Sequence, residues 1–199
     1  EAFQRDRHQR LRRARGAGDP QRARVRVLQA LHREARVLEG LGANLYKSHS
    51  GSGFKSLAVH AGSAEDAARI ALGAKLASYR FDTYFTKLKD DQKPSLESVT
   101  LVVSDVPAAE AAFVPLNAGA EGTKLARDLV NMPPNDLYPA SFAEKCRELG
   151  QYGVQVEVLG EAELAKLGMN SMLGVGQGSV KESQLGVMKW MGGAEGEDP

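Results

Sequence analysis

The sequence lacks several features that define whole classes of protein. It has one cysteine, Cys146, in 199 residues, which excludes an internal disulfide framework and suits a reducing compartment such as the cytosol. No apolar run approaches the roughly 20 residues that a membrane-spanning helix needs. No apolar signal-peptide core follows the basic N-terminus. We therefore expect a cytoplasmic protein that does not bind membranes, with Cys146 as a small buried residue of a helix.

Histidine is scarce, and its spacing argues against a zinc site. The four histidines are His8, His32, His49 and His60. None belongs to a His-Glu-x-x-His helix, and none lies beside a cysteine or carboxylate at the spacing of metal ligands. His49 falls in a loop rich in serine and glycine, and His60 ends a strand. The histidines therefore predict no metal centre.

Lysine is absent from residues 1–36, which contain 11 arginines against 4 acidic residues and carry a net charge of +7. Residues 37–199 carry −6, with 11 lysines and 4 arginines against 21 acidic residues. The segment 1–36 is consistent with a reading-frame artefact, a disordered arm or a nucleic-acid-binding arm. Its only aromatic residue that could stack on a base is Phe3, so binding of nucleic acid is the least favoured of the three.

From about Val37 the sequence has the pattern of folded protein. It predicts helices over 38–47, 63–80, 107–131, 141–149 and 161–166, and strands over 54–60, 99–103, 154–159 and 184–190. Ser63 should cap the second helix, with Asp66 in its first turn, and Ser141 with Glu144 should form a capping box for the fourth. Strands that alternate with helices indicate an α/β fold with a mainly parallel sheet.

The most informative stretch is residues 122–139, which contain a helix ended by two prolines. Leu125, Leu129 and Val130 recur at helical spacing, and Asn131 then precedes Met132-Pro133-Pro134. Proline has no N–H and disfavours helical geometry in the residue before it. The long helix must therefore end at about Asn131.

Other residues invite a functional interpretation, and in each case we favour a structural one. Gly174–Ser179 could cradle a phosphate through its backbone N–H groups, but it lacks a Gly-Lys-Ser/Thr ending, so we interpret it as a tight loop that allows close approach. The amides of Asn131 and Asn135 could line a substrate pocket, but asparagine is equally suited to caps and turns. Ser141 has no evident histidine or aspartate partner and is interpreted as a helix cap.

The helix that ends at Asn131 and the glycine-rich segment 168–179, forty residues later, together resemble the leucyl (cytosol) aminopeptidases, which are dinuclear-metal exopeptidases. The resemblance spans about 54–193 and suggests an N-terminal fragment of such a protein. It implies an Arg-rich segment (1–36), part of a macro-type α/β domain (37–106), a connecting helix (107–131) and the start of a catalytic α/β domain (132–199).

The resemblance also implies an activity. Enzymes of this family release N-terminal residues, preferentially leucine, from peptides during intracellular protein turnover, as homo-oligomers that are hexamers in the family. Two divalent ions, manganese, magnesium or zinc, activate a water molecule and polarise the scissile carbonyl. Their ligands are carboxylates and one lysine, in the segments Gly-Lys-Gly, Phe-Asp-Ser-Gly-Gly and Asn-Thr-Asp-Ala-Glu-Gly-Arg.

None of these three segments occurs in residues 1–199. We therefore assign no catalytic, cofactor-binding or metal-binding residue in this chain, and expect the fragment to be inactive alone. The alternative is a non-catalytic binding module, either a macro-type ligand domain or a nucleic-acid binder that uses the Arg-rich segment.

Overall fold

A computed structural model describes the backbone of residues 20–193 and 196, and the side chains of residues 34–193 and 196. In this part of the chain the helices are α1 (Pro20–His49), α2 (Ala64–Ala77), α3 (Val106–Asn131), α4 (Pro139–Glu148), α5 (Glu161–Lys166) and α6 (Asn170–Gly176). The strands are β1 (Ser56–His60), β2 (Ser98–Val102), β3 (Val154–Leu159) and β4 (Leu185–Trp190), and short 3₁₀ helices span Asp90–Gln92 and Leu149–Tyr152. The expected α/β fold is confirmed.

The chain divides into two compact units, Glu1–Asp128 and Leu129–Pro199. In the first unit β1 and β2 pair in parallel, with Ser56 opposite Ser98. The connection between them runs through α2 and a long polar segment, as the sequence pattern predicts. Parallel pairing of two strands requires such a crossover.

In the second unit β3 and β4 are antiparallel, so the expectation of a mainly parallel sheet is wrong for this pair. Two helices, α5 and α6, lie between these strands, where a parallel crossover commonly has one. Helix α6 returns the chain to the C-terminal end of β3. Strand β4 therefore begins there, with its first residue, Leu185, opposite the last residue of β3, Leu159. The alternation of strands and helices does not specify this reversal.

Within the first unit, α1 and α2 pack at very short range through two glycines. A methyl group built on Gly42 would collide with the backbone carbonyl of Ile70, and one built on Gly73 would collide with that of Glu39. The Arg69 guanidinium donates to the Glu39 carboxylate at 3.0 Å and ties the same two helices together. Three small residues of α2 are also buried, namely Ala67, Ala68 and Ala74.

Helix α1 begins much earlier than the sequence pattern indicates. Residues 20–36 are helical where we expected disorder or a frame artefact. Arginine, alanine, leucine and glutamine have high helix propensity, and proline suits the first turn, as Pro20 does here. Residues 1–19 of the Arg-rich segment lie outside the described residues. Over the described residues, no helix combines the length and apolar character that crossing a membrane requires.

The caps of two helices test the local predictions. The Ser63 hydroxyl accepts a hydrogen bond from the Asp66 N–H at 3.1 Å, so the predicted cap of α2 is confirmed. The capping box at Ser141 is wrong, because α4 begins at Pro139, whose fixed φ suits a first helical residue. Ser141 therefore lies inside the helix, and its hydroxyl accepts from the Tyr138 N–H at 2.9 Å.

The second unit has a small core. Leu164 of α5 is fully buried, and Ala143 and Cys146 of α4 are buried as well, which confirms the interpretation of the cysteine. Along β3 the valines are half-buried and the polar residues between them are exposed, as period-two alternation predicts. Helix α3 ends at Asn131, before the two prolines, as predicted.

We predict that Gly73→Ala destabilises the first unit by about 1–3 kcal/mol, because the added methyl group must push the backbone of α1 away from α2. Gly40→Ala is the matched control on α1, since nothing lies within 4 Å of a methyl group at that position. It should be neutral or stabilise the helix by about 0.5–1 kcal/mol. Urea denaturation followed by circular dichroism checks both variants. Equal stability of the two would contradict the short approach of these helices.

Candidate functional site

A pocket of about 210 Å³ lies in the first unit, between the C-terminal end of α2 and the C-terminal half of α3. Its lining residues are Lys75, Leu76, Ser78, Tyr79, Arg80, Ala120, Lys124 and Arg127. Four of them are cationic, and none of the described residues that line the pocket is a carboxylate. The pocket therefore presents a strongly positive surface in a small volume.

Lys75 is held in place from α3. Its ammonium group contacts the Asn117 side-chain oxygen and a Glu121 carboxylate oxygen, each at 2.5 Å. The hydrogen bond from Lys75 lowers the pKa of the Glu121 carboxyl below its ordinary value, and the positive charges of Lys75 and Lys124 act in the same direction. Glu121 is therefore anionic at neutral pH and fixes the position of the Lys75 ammonium group.

The two arginines of the pocket are also held by the protein. The Arg127 guanidinium donates to the backbone carbonyl of Leu76 at 2.9 Å and lies 5.3 Å from the centre of the Tyr79 ring. Arg80 donates to the Gln92 carbonyl at 3.3 Å and contacts Asp82 at 3.4 Å. Carbonyl groups in the last turn of a helix lack partners within the helix, and Arg127 satisfies one of them.

The glycine-rich segment Gly174–Ser179 is partly helical, so its interpretation as a loop is wrong for residues 174–176, which belong to α6. A close approach does occur there. A methyl group on Gly176 would collide with the Ser183 hydroxyl oxygen. Ser183 is buried, and its N–H donates to the Glu161 carboxylate at 2.8 Å. Gly176 therefore allows the chain after α6 to pass against the helix.

The other candidate polar residues make local contacts. The Asn135 amide donates to the neighbouring Asp136 carboxylate at 3.1 Å, and Asn131 is the last residue of α3. The Ser141 hydroxyl donates to the Asp136 carbonyl at 2.8 Å. These contacts are those of turns and helix ends.

The histidines lie apart from one another. His49 ends α1, with its Nδ1 2.9 Å from the Leu45 carbonyl oxygen, and His60 is exposed at the end of β1. His8 and the side chain of His32 lie outside the described residues. Over the described part of the chain, no three histidine, cysteine, aspartate or glutamate side chains form a group that could hold a metal ion. The described residues therefore do not fit the dinuclear centre that the sequence resemblance implies.

Comparison with known proteins agrees with the sequence resemblance. Residues 124–199 match the catalytic domain of the cytosol aminopeptidase family. The chain is 47% identical over 163 residues to a probable cytosol aminopeptidase of Caulobacter vibrioides, a match that covers 81% of this chain and 33% of that relative. It is 53% identical over 139 residues to one of Agrobacterium fabrum, covering 69% of this chain and 28% of that relative.

Solved structures show the same likeness. The bottromycin maturation enzyme BotP in complex with Mn superposes with a TM-score of 0.63 at 30% identity, covering 77% of this chain and 33% of that enzyme. A mutant of tomato leucine aminopeptidase superposes with a TM-score of 0.56 at 26% identity, covering 65% of this chain and 28% of that protein. The chain thus spans about a third of the length of the relatives it matches.

We predict that Gly176→Ala destabilises the second unit by about 1–3 kcal/mol, because the new methyl group meets the Ser183 side chain. Gly174→Ala, in the same helix with open space around it, is the control and should not destabilise the unit. Removal of the obstructing hydroxyl in the double variant Gly176→Ala/Ser183→Ala should recover part of the loss. A double-mutant cycle of thermal unfolding measures this coupling, and strict additivity would show that the two residues do not meet.

Proposed function

We propose that this chain is part of a metal-dependent aminopeptidase. The chain resembles a fragment of the cytosol aminopeptidase family, and the resemblance includes the residues that match the catalytic domain. The intact enzyme releases N-terminal residues, preferentially leucine, from peptides in the cytoplasm. The match of residues 124–199 to that catalytic domain carries this proposal. Relatives named as probable cytosol aminopeptidases support it. We further propose that the intact protein is a homo-oligomer, a hexamer as in the family.

The proposed enzyme uses two divalent metal ions, manganese or zinc. BotP, solved in complex with Mn, supports the use of a metal. Bound metal ions of this kind activate a water molecule and polarise the carbonyl of the scissile bond. None of the three ligand-bearing segments of the family occurs in residues 1–199, so we assign no metal ligand to this chain.

The role we propose for the described residues of the second unit is structural. Strand β3 and helix α4 form part of the catalytic α/β domain, and in such domains ligands bind beyond the carboxyl ends of the strands. The polar residues that follow α3 are engaged in local hydrogen bonds, as Asn135 and Ser141 show. Substitutions here should therefore change the stability of the enzyme and leave its chemistry unchanged.

We expect the 199-residue chain to be unable to hydrolyse leucine p-nitroanilide, with or without added manganese. Without the carboxylate and lysine ligands no bound water is activated. The assay is release of p-nitroaniline by the purified chain, with a complete family member as the positive control and a chelator-treated sample as the blank. Manganese-dependent turnover by the chain would show that it contains a metal site.

In the full-length enzyme, Leu129→Ala should lower the free energy of unfolding by about 1–2 kcal/mol. This is less than the cost at a fully buried site, because Leu129 is only half-buried. Val130→Ala is the control, since Val130 is 84% exposed and its truncation should have little effect. Both variants should keep the kcat of the parent when rates are normalised to titrated active sites. A large loss of kcat at an unchanged melting temperature would mean that Leu129 takes part in the chemistry.

A further inference from the structure

We propose that the middle of α3, residues 115–123, is a hinge that α2 holds in the helical state through the side chain of Lys75. The hinge opens locally when the contacts of Lys75 are lost, while the packing of α1 on α2 is kept. This inference concerns the mechanics of the first unit, nearly all of which precedes the match to the catalytic domain. It does not depend on the proposed peptidase activity.

The sequence of this stretch disfavours a helix. Pro115 lies inside α3, where it has no N–H to donate to the Ala111 carbonyl and its ring crowds that carbonyl. Gly119 and Gly122 follow within two turns, and glycine is the poorest helix former after proline. Among the described residues, nothing lies within 4 Å of a methyl group built on either glycine. The two glycines therefore weaken the helix and are not required there by a close approach.

A side-chain hydrogen bond weakens the same stretch further. The Thr123 hydroxyl donates to the Gly119 carbonyl at 2.8 Å, and a bond of this kind to the residue four positions earlier slightly destabilises and often bends a helix. Burial offsets little of this, because α3 lies wholly within the described residues and Ala120 alone among its 26 residues is buried. Four unfavourable features thus fall within residues 115–123.

The side chain of Lys75 bridges this weak stretch from α2. Its ammonium group lies 2.5 Å from the Asn117 side-chain oxygen and 2.5 Å from a Glu121 carboxylate oxygen. These two acceptors are four positions apart, about one turn of the helix. The hydrogen bond from Lys75 is the largest cause of the lowered pKa of the Glu121 carboxyl, with a smaller contribution from the charge of Lys124. A cation that contacts both ends of one turn opposes the unwinding of that turn.

Helix α2 is held in place independently of these contacts. Gly73, two residues before Lys75, packs against the Glu39 carbonyl of α1. Beyond the hinge, Arg127 donates to the Leu76 carbonyl at 2.9 Å, so the C-terminal part of α3 has a separate tie to α2. Loss of the Lys75 contacts should therefore release residues 115–123 and leave the neighbouring contacts intact.

The test is amide hydrogen exchange of the purified 199-residue chain, measured by mass spectrometry of peptides from α1, α2 and α3. In the parent chain, residues 115–123 should exchange at least about tenfold faster than the central amides of α2. Lys75→Met keeps the length of the side chain and removes the ammonium group. It should accelerate exchange of residues 115–123 about three- to tenfold further, and exchange in α1 and α2 by less than about twofold.

The matched control is Lys47→Met, because Lys47 is an exposed lysine in the last turn of α1, as Lys75 is a lysine in the last turn of α2. This variant should leave exchange in α3 unchanged. Thermal unfolding verifies that each variant is folded under the conditions of the exchange experiment.

A second variant tests the hinge without altering Lys75. The pair Gly119→Ala/Gly122→Ala should strengthen the helix and slow exchange of residues 115–123 about five- to tenfold. Combined with Lys75→Met, the same pair should recover most of the lost protection. Gly40→Ala, at a helical glycine of α1 that also has open space around it, should leave exchange in α3 unchanged.

Three results would overturn the proposal. The first is that residues 115–123 exchange as slowly as the centre of α2 in the parent chain. The second is that Lys75→Met changes nothing in this stretch, or accelerates exchange in α1, α2 and α3 equally, as a general loss of stability does. The third is that the pair of alanine substitutions does not slow exchange of residues 115–123.

Discussion

The first unit depends on the close crossing of α1 and α2, where each helix presents a glycine to the backbone of the other. Gly42 lies against the Ile70 carbonyl and Gly73 against that of Glu39, so neither position accepts a side chain without separating the helices. The close approach brings the Arg69 guanidinium and the Glu39 carboxylate to 3.0 Å. Helix α2 also supplies Lys75 and Leu76 to the basic pocket, where Lys75 contacts Asn117 and Glu121 of α3 and Leu76 accepts a hydrogen bond from Arg127.

Features set by neighbouring residues could be predicted from the sequence. Two prolines end α3 at Asn131, Ser63 caps α2, and alternation of valines with polar residues marks β3. Features set by distant residues could not. The close crossing of α1 and α2 depends on contacts between residues about 30 positions apart. From the sequence alone, a glycine inside a helix indicates only a local loss of helix stability. The direction of β4 depends on how two short helices return the chain, which the strand pattern does not encode.

The basic pocket shows the same limit for a candidate site. Lys75 and Lys124 lie 49 residues apart, and each alone resembles an ordinary solvated lysine. A signal exists only for Lys75, which lies in the last turn of α2, where basic residues interact favourably with helix carbonyls. That signal predicts a contact at the helix end and does not predict a cavity shared with α3.

The second unit owes its stability to packing around a small sheet. Its sheet consists of β3 and β4 within the described residues, and two paired strands alone are marginally stable in water. The buried side chain of Leu164 and the packing of α4 against β3 therefore supply much of its cohesion. Two features that carry the resemblance to the family, the proline-stopped end of α3 and Gly176, act through backbone geometry. Neither requires a side chain that binds a metal ion.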